Sequence, residues 1–471
     1  MSRIATCLIA AFAVAAMARA ELRVQDFDAD PGWESVGARA ARSHSRTVTQ
    51  DFGHSLTSFA RGASTGEIGG IVARSLTPAM YWAPVPEKTL DDPFCASGKF
   101  AVTQAGGGSG VLIGWFNAES CGWRTPNSLA MRLDGNGGKY WVFFEYGTRD
   151  FGTGGGVTFE GERYQTTPTP PHPADGSVHT WELAYDPAGA NRQGEIELTL
   201  DGATHRAAMR PDHREQGAAF DRFGIINQQI SGDEMAVYVD DLVLDGTRYD
   251  FATSAGWVGV GNRATFVDTA IRPYHDFGYS ETAHAGGALG EMGGMVWRIE
   301  EARADQAGYY ADDVGRLTLD DRLHAEGLIA MTRAAADSAV LIGWFNSQTH
   351  VGAPPGNFLG ILVEGPSRVG HYFRTAYANG RGEGDVVGEG PVMRPSRIPH
   401  AWTLDYDPAD NSGLGEIAVT LDGESVSVGL DERVRDGGAE FDRFGMLSYQ
   451  RGGHYVEVWL DDLRYTVGPP R

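Results

Sequence analysis

Two glutamates occupy nearly identical glycine-rich segments of this chain, GEIGG at Glu67 and GEMGG at Glu291. A glutamate between glycines in a strand leaves room for a ligand or another backbone to approach closely. Such a carboxylate could act as a general base or accept a hydrogen bond from a hydroxyl group. The favoured alternative is that it pairs with an arginine on a neighbouring strand. Both residues are therefore candidates, either for catalysis or for the fold.

A second set of candidates lies in the segment VLIGWFN, which occurs twice. Alternation along a strand places Trp115 and Asn117 on one face, and it does the same for Trp344 and Asn346. A pyranose ring offers a C–H face and directed hydroxyls, so an aromatic platform beside hydrogen-bonding groups suits sugar recognition. The alternative is that both tryptophans fill the hydrophobic core.

Cys95 and Cys121 lie at equal distances from the middle of the turn AGGGSG. If the flanking strands form a hairpin about that turn, Phe100 lies opposite Phe116 and the two cysteines lie opposite one another. A disulfide between them is then expected in an exported protein.

His324 and His350 take the places of the two cysteines in the second half of the chain. The hairpin prediction places these histidines opposite one another as well. They are then either a hydrogen-bonded cross-strand pair or half of a transition-metal site whose other ligands the sequence does not identify.

These candidates recur because the chain is an internal duplication. The run DFGHSLTSFARGASTGEIGG at Asp51 returns as DFGYSETAHAGGALGEMGG at Asp276, and HTWELAYDP, GEIELTLDG, FDRFG and VYVDDL return in order as HAWTLDYDP, GEIAVTLDG, FDRFG and VWLDDL. A period of roughly 220 residues is too long for a solenoid repeat, so each copy must hold its own core. Short β-branched and aromatic runs between clusters of Gly, Asn, Asp and Pro predict an all-β chain.

The copies open with the related segments FDADPGW at Phe27 and FATSAGW at Phe251. The sequence therefore predicts two domains, residues 25–248 and 249–466, joined by a short linker. Residues 1–20 have a basic start, an apolar run and small residues before Glu21, which together indicate a cleaved secretory signal. We expect a secreted, periplasmic or extracellular protein with no membrane span, because the apolar run is shorter than the ~20 residues that a bilayer requires.

The formal net charge is −23. A field of that sign repels nucleic acids and anionic membranes, so neither is an expected partner. Neutral ligands, or anionic ligands bridged by a cation, are compatible with it.

The closing strands of each copy, with H-x-W, YDP, GEIxxTLDG and DDL in that order, resemble those of the concanavalin A-like lectin/glucanase superfamily, which includes laminin-G-like modules. The resemblance implies an all-β protein of two tandem concanavalin A-like β-sandwich (jelly-roll) domains, each with two stacked antiparallel sheets. It further implies glycan-binding or catalytic groups on a concave face, and often a structural calcium ion.

Calcium is implied at the DDL pairs, because an Asp in the last strand of such folds can bind the ion together with backbone carbonyls. The candidate ligands are Asp240 or Asp241 in the first copy and Asp461 or Asp462 in the second. Asp28 is a possible helper in the first copy, and the second copy has no acid at the equivalent place.

The motifs for catalysis are incomplete. The E-x-D-x-E strand of the glucanase branch, which sets two carboxylates on one face, is absent. Jelly-roll polysaccharide lyases use a Tyr or His base beside an Arg, and HYFRTAY contains His371, Tyr372 and Arg374. Strand alternation puts His371 on the opposite face from the other two. His371 and Tyr372 are therefore weak catalytic candidates.

Three functions remain from these observations. The leading one is a secreted, lectin-like carbohydrate-binding protein that acts on a polysaccharide or a cell-surface glycan, with duplication raising avidity. The second is a polysaccharide-degrading hydrolase or lyase with an unusual site. The third is an exported structural or adhesion protein.

Overall fold

The computed structural model describes residues 21–39, 46–75, 77–117, 126–150, 152–157, 171–229, 232–254, 256–268, 275–335, 337–365 and 371–469. This part of the chain is almost entirely β-structure. Its first strands are β1 (Glu21–Gln25), β2 (Glu34–Val36), β3 (Arg46–Ser55), β4 (Glu67–Ala73), β5 (Met80–Thr89), β6 (Phe94–Ala105), β7 (Gly107–Phe116), β8 (Ser128–Asn136), β9 (Lys139–Gly147), β10 (Thr153–Val157), β11 (His172–Pro173), β12 (Val178–Asp186), β13 (Glu195–Leu200), β14 (Ala203–Ala208), β15 (Ala219–Asn227), β16 (Glu234–Leu244), β17 (Thr247–Tyr249), β18 (Val258–Val260) and β19 (Arg263–Asp268).

The strands that follow are β20 (Asp276–Ser280), β21 (Glu291–Trp297), β22 (Tyr309–Thr318), β23 (Leu323–Ala334), β24 (Ser338–Phe345), β25 (Phe358–Gly365), β26 (His371–Ala378), β27 (Gly384–Val386), β28 (Val392–Met393), β29 (His400–Asp407), β30 (Glu416–Leu421), β31 (Glu424–Gly429), β32 (Glu440–Ser448) and β33 (Tyr455–Val467). Helical structure is confined to short turns. They are α1 (Gly189–Arg192), α2 (Pro211–Gln216), α3 (Asp410–Gly413), α4 (Glu432–Gly437) and a 3-10 turn at Ala304–Gln306.

The strands form four large antiparallel sheets. Sheet 1 has the order β14-β13-β12-β6-β16-β4-β3-β19, with β17 beside β16, and sheet 2 has the order β10-β9-β8-β7-β15-β5-β18, with β11 beside β9. Sheet 3 runs β20-β21-β33-β23-β29-β30-β31, with β1 beside β33, and sheet 4 runs β2-β22-β32-β24-β25-β26-β27, with β28 beside β26.

Two separate hydrophobic cores hold the sheets together in pairs. One core joins side chains of sheets 1 and 2, such as Phe100 and Trp115, and defines sandwich one. The other joins sheets 3 and 4, for example through Ile329 and Trp344, and defines sandwich two. The predicted fold class, all-β with two two-sheet jelly-roll sandwiches, is confirmed by this architecture.

The domain boundaries differ from the predicted 25–248 and 249–466. Sandwich one is continuous from residue 46 to 268, because β17, β18 and β19 pair with β16, β5 and β3. Sandwich two combines residues 275–469 with the beginning of the described chain, because β1 pairs with β33 and β2 pairs with β22. The two halves therefore do not fold as consecutive segments.

The reason lies in the segments that open each copy. We call residues 21–39 the N-terminal strap and residues 247–268 the internal strap. Each carries a buried Phe in the left-handed region, Phe27 at φ 52° and Phe251 at φ 51°. The internal strap follows sandwich one directly through the Asp245–Gly246 turn into β17, whereas β1 takes the equivalent place beside β33. The sequence repeat is thus a circular permutation of the structural unit.

The predicted hairpins are wrong. β6 and β7 lie in different sheets, and both are interior strands whose backbone groups are taken by other neighbours. Phe100 pairs with His179 and Val239, and Phe116 pairs with Arg222 and not with Phe100. The chain crosses from sheet 1 to sheet 2 at Gly106, so equal spacing about the turn does not set a register.

Candidate functional site

Trp115 and Trp344 are core residues. Neither ring has any exposed surface. Trp115 packs 4.7 Å from Phe94, and Trp344 packs 4.9 Å from Phe444 and donates its indole N–H to the carbonyl of Thr466 at 3.1 Å. A sugar cannot stack on a fully buried ring, so the prediction that they are binding platforms is wrong. Strand alternation grouped the right residues but did not reveal which face meets the opposing sheet.

The two asparagines lie at the ends of these strands. Asn346 donates to the carbonyl of Glu440 at 3.2 Å and accepts from the N–H of Gln348 at 3.0 Å, so it stabilises a turn. Asn117 is half-buried just after β7. Neither lies beside an exposed Trp115 or Trp344 ring, because those rings point into the core.

Glu67 and Glu291 are completely buried and hold loops in place. Glu67 accepts hydrogen bonds from the backbone N–H groups of Phe59 and Ala60, at 2.9 and 2.8 Å. Glu291 accepts in the same way from His284 and Ala285. These contacts support the structural interpretation, although the partners are backbone amides and not the predicted arginines.

His371 and Tyr372 lie on opposite faces of sheet 4, as the alternation predicts. His371 is buried and its Nε2 lies 2.7 Å from the hydroxyl of Ser338, while burial lowers its pKa to about 3. Tyr372 lies beneath the guanidinium of Arg374, which also pairs with Glu364. The structure therefore does not bring His371 together with this tyrosine and arginine.

The His324 and His350 pair is not formed. His324 faces Asp405 in the register of β23 with β29, and the two side chains lie 2.7 Å apart. His350 lies in the loop after β24 and contacts the carbonyl of Ser347 at 2.7 Å. The predicted placement of the two histidines opposite one another is wrong for the same reason as the hairpins, so neither the cross-strand pair nor the half-site that depended on it is formed.

Cys95 lies in β6 opposite Ala184 of β12, and burial raises the pKa of its thiol. Cys121 falls outside the described residues. The disulfide stays a prediction, and the hairpin register that suggested it is wrong.

The DDL pairs place one buried and one outer carboxyl in each copy. Asp240 is fully buried and Asp461 nearly so, and burial raises the pKa of each to about 6. The residues of sandwich one do not suit calcium, because Lys99, at 2.8 Å, and Arg248, at 3.1 Å, already pair with Asp241.

Sandwich two has Leu328 in the place of Lys99. Asp462 is exposed at this position. Asp28, the predicted helper in the first copy, lies on the N-terminal strap and therefore belongs to sandwich two. Within the described residues, no three or more His, Cys, Asp or Glu side chains are grouped so that they could hold a metal ion. Calcium stays a prediction.

A cleft of about 580 Å³ opens between the N-terminal strap and sandwich two. Three aromatic residues form its walls: Trp33 from the strap, Tyr279 of β20 and Tyr310 of β22. The Trp33 ring lies 5.6 Å from Tyr310, and it also contacts Phe27 at 5.2 Å. Trp33 and Tyr279 are half-buried, so each packs partly against the sandwich and leaves the rest of its surface exposed in the cleft. We call this site the strap cleft.

Polar groups line the rest of the strap cleft, and they are Asp30, Ser35, Arg39, Ser280 and Glu281. The hydroxyl of Tyr310 donates to Asp30 at 3.4 Å. Burial and the charge of Asp30 raise the pKa of Tyr310 above its ordinary value, so the phenol remains a donor. The guanidinium of Arg39 donates to the carbonyl of Tyr279 and ties the strap to β20.

At the same place in sandwich one the tryptophan is more deeply buried. Trp257 stacks on Tyr81 at 5.6 Å, and each ring is only 7% exposed. His54 and Leu56 stand where the strap cleft has Tyr279 and Glu281. The two copies therefore share the Trp–Tyr contact, and the arginine that ties the strap to the sheet also recurs, as Arg263. The acid Glu281 of the strap cleft is replaced by the apolar Leu56 in sandwich one.

The sequence contained a signal for this site that spacing alone did not identify. The Trp of FDADPGW recurs in FATSAGW, and it served only to mark a domain boundary. The cleft that it lines depends on which sandwich the strap covers, and that depends on strand pairing over more than 270 residues, between β2 and β22.

Three solved structures similar to this chain are distant in sequence. The mouse laminin alpha1 chain, domains LG4-5, is 10% identical, covers 86% of this chain and 96% of its own, and superposes with a TM-score of 0.26. The Emp47p carbohydrate recognition domain is 12% identical over 41% of this chain and 89% of its own, with a TM-score of 0.27. The GH43 BlXynB protein from Bacillus licheniformis is 9% identical over 74% of this chain and 80% of its own, with a TM-score of 0.25.

No family model matches the sequence, and no curated protein matches it either. TM-scores this low carry no argument about the site. The class rests on the sheets themselves, which form two antiparallel jelly-roll sandwiches, so the predicted resemblance to concanavalin A-like folds is confirmed at the level of architecture. None of the helices in the described ranges is long and apolar enough to cross a membrane.

Proposed function

We propose that the protein binds carbohydrate, and that the strap cleft of sandwich two is the binding site. The observation that carries the proposal is the combination of half-buried Trp33 and Tyr279 with five polar side chains around one open cleft. Aromatic faces suit the C–H surface of a sugar ring, and hydroxyl, carboxylate and guanidinium groups suit its hydroxyls.

The charge of the site favours an uncharged sugar. Asp30 and Glu281 outnumber Arg39 in the cleft, and the whole chain carries −23. An anionic ligand would meet repulsion both at the cleft and on approach. A volume of about 580 Å³ lies within the range of small-molecule sites, so the cleft can hold a short stretch of a glycan chain.

The proposed setting is outside the cytoplasm, where polysaccharides and cell-surface glycans are found. It is supported by the basic start, the apolar run and the small residues before Glu21. Residues 1–20 lie outside the described part of the chain.

The test is binding of the purified protein to a panel of immobilised neutral oligosaccharides and polysaccharides. Tyr279→Ala should weaken binding by roughly 2- to 10-fold, because an aromatic contact is worth ~0.5–1.5 kcal/mol beyond its buried area. His54→Ala is the matched control, since His54 occupies the same place in sandwich one. Its binding should equal that of the wild type.

A second variant removes a polar group without touching the aromatic walls. Glu281→Ala should also weaken binding, because Glu281 is exposed in the cleft and can accept hydrogen bonds from sugar hydroxyls. The proposal fails if nothing on the panel binds, or if both cleft variants bind as tightly as the wild type.

A further inference from the structure

A second groove lies on the outer face of sheet 3, on the side away from the core of sandwich two. Its volume of about 410 Å³ falls within the range of small-molecule sites. Leu328 of β23 and Ala401 of β29 provide its apolar surface, and its polar groups include Thr403 and Asp462. Leu328 is half-buried and Ala401 is exposed, so a ligand can reach the apolar surface from solvent. We call this site the sheet groove.

Asp462 is an acidic residue of this groove that lacks a cationic partner. Its backbone N–H donates to the side chain of Asp461 at 2.8 Å, but its own carboxylate makes no hydrogen bond and no ion pair with any residue that the structure describes. The other acid of the groove, Glu326, lies 3.5 Å from both Arg464 and His324. The carboxylate of Asp462 is therefore available to a cation from outside the chain.

Sandwich one shows what this position accepts. Asp241 is the equivalent residue, and the ammonium group of Lys99 lies 2.8 Å from its carboxylate. Lys99 also donates to the carbonyl of Arg61 at 3.2 Å, while Arg248 pairs with the other oxygen of Asp241 at 3.1 Å. In this copy of the motif, an ammonium group and a guanidinium group therefore neutralise the outer Asp of the DDL pair.

Sandwich two replaces both of these cations by aliphatic residues. Leu328 takes the place of Lys99, because each faces the inner Asp of its DDL pair in the strand register. Val24 of β1 takes the place of Arg248, because each faces the residue two positions after the outer Asp. Val24 is 62% exposed. Sandwich two thus keeps the carboxylate and offers apolar surface where sandwich one has its own cations.

A lysine side chain has the chemistry that this surface lacks. Its ammonium group carries three hydrogen-bond donors, and its aliphatic stem lies readily along apolar surface. The net charge of −23 attracts a cationic partner over longer distances. A single exposed ion pair contributes little affinity, so a free amine would be held only weakly. A polypeptide adds contacts across the neighbouring strands, and it is therefore the favoured source of the ammonium group.

We propose that the sheet groove binds a lysine side chain of a partner polypeptide. The ammonium group pairs with Asp462, and the aliphatic stem covers Leu328 and Ala401. The partner's lysine thereby takes the place that Lys99 holds in sandwich one. The sheet groove shares no lining residue with the strap cleft, and neither proposal depends on the other.

The test measures binding of the full chain, in EDTA, to a fluorescent peptide of alternating glycine and lysine residues. The wild type should bind it with an affinity that falls as salt is added, and should not bind the same peptide with norleucine in place of lysine. Leu328→Lys fills the groove with the chain's own ammonium group and should lower the affinity by roughly fivefold or more, whereas Asp462→Asn should lower it roughly 2- to 5-fold. Val267→Lys makes the same charge change at an exposed position of sandwich one, and it should bind as the wild type does.

A gain of binding is expected from the reverse exchange in sandwich one. The double variant Lys99→Leu with Arg248→Val removes both cations from Asp241 and copies the residues of the sheet groove. It should bind two peptides per chain where the wild type binds one. Adding Leu328→Lys to this double variant should return the number to one.

Three results would overturn the proposal. One is a wild-type protein that does not bind the lysine peptide, and another is unchanged binding in both Leu328→Lys and Asp462→Asn, since the peptide would then bind elsewhere. The third is cadaverine, a free diamine, binding as tightly as the peptide, which would make the ligand a small amine. Asp462 is exposed, so its variant keeps the test decisive even if Leu328→Lys fails to fold.

Discussion

The buried carboxyls of Asp240 and Asp461 are unfavourable in their charged form, one in each sandwich. Both occupy the bulge of the last long strand, and Asp240 has no exposed surface. Burial raises the pKa of Asp240 from an ordinary 3.8 to about 6, and the charges of Asp241 and Glu67 add to the shift. The folded protein therefore binds a proton at this site more tightly than the unfolded chain does.

The contribution of Asp240 to the stability of the fold falls as the pH rises. The stabilisation from protonated Asp240 is complete below about pH 4 and is lost as the pH rises to about 6. A shift of this size corresponds to about 3 kcal/mol in the free energy of unfolding. Asp240→Asn removes the titration, so the variant should be more stable than the wild type at pH 7.5 and nearly equal to it at pH 4. Urea unfolding in the presence of EDTA measures the difference.

The matched control is Asp241→Asn. Burial would raise the pKa of Asp241, but Lys99, the N–H of Ala63 and Arg248 lower it, so its loss should destabilise the protein at pH 7.5. Urea unfolding with calcium in place of EDTA tests whether the metal implied by the family resemblance binds at Asp240. If Asp240 is a calcium ligand, Asp240→Asn will be less stable than the wild type once calcium is present. Equal stability of the two proteins at all pH values, with and without calcium, would contradict both the raised pKa of Asp240 and its role as a calcium ligand.

The positions of strands β7 and β24 inside their sheets explain why the tryptophan prediction was wrong. Each strand has a neighbour on both sides, and its sheet is stacked on another sheet. A large aromatic residue in such a strand has two possible faces, and in both copies it occupies the face that meets the opposite sheet. Leu112 and Phe116, on the other face of β7, join a smaller apolar cluster. The alternation is visible in the sequence, but the stacking partner is not.

The buried rings of Trp115 and Trp344 stabilise the fold, and their removal should be measurable. Trp115→Ala and Trp344→Ala should each destabilise the protein by roughly 3–5 kcal/mol, because a large cavity opens and buried apolar surface is lost. Thermal or urea unfolding measures this loss. Glycan affinity of the folded fraction should not change, because neither ring lines the strap cleft. A variant that keeps its stability and loses glycan binding would show that the ring is accessible after all.

The internal duplication predicted the architecture of the molecule but not the limits of its two domains. Two copies of one pattern in order, with Gly-rich turns and short apolar runs, are enough to indicate two all-β sandwiches. They do not show that the internal strap packs on sandwich one and the N-terminal strap on sandwich two, because a circular permutation leaves the order of motifs unchanged. The strap cleft was invisible for the same reason, since Trp33 meets Tyr279 and Tyr310 only through that exchange.

The N-terminal strap therefore pairs with sandwich two, so the beginning of the described chain packs against its last domain. Phe27 has no exposed surface and lies in the core of sandwich two, while Phe251 lies in the core of sandwich one with the same backbone conformation. Phe27→Ala should destabilise sandwich two, and Phe251→Ala should destabilise sandwich one, by roughly 3–5 kcal/mol each. Hydrogen exchange resolved by peptide measures which sandwich loses protection.

Deletion of residues 21–39 removes β1 and β2 from sandwich two. Deletion should raise exchange in β22 and β33, which lose their pairing with β2 and β1, while β5 and β16 keep the internal strap and their protection. Glycan binding should disappear as well, because Trp33, Asp30 and Arg39 leave with the strap. If consecutive domains at 25–248 and 249–466 were correct instead, the deletion would expose sandwich one and leave sandwich two protected. The pattern of hydrogen exchange thus distinguishes a strap that completes sandwich two from two domains formed by consecutive segments.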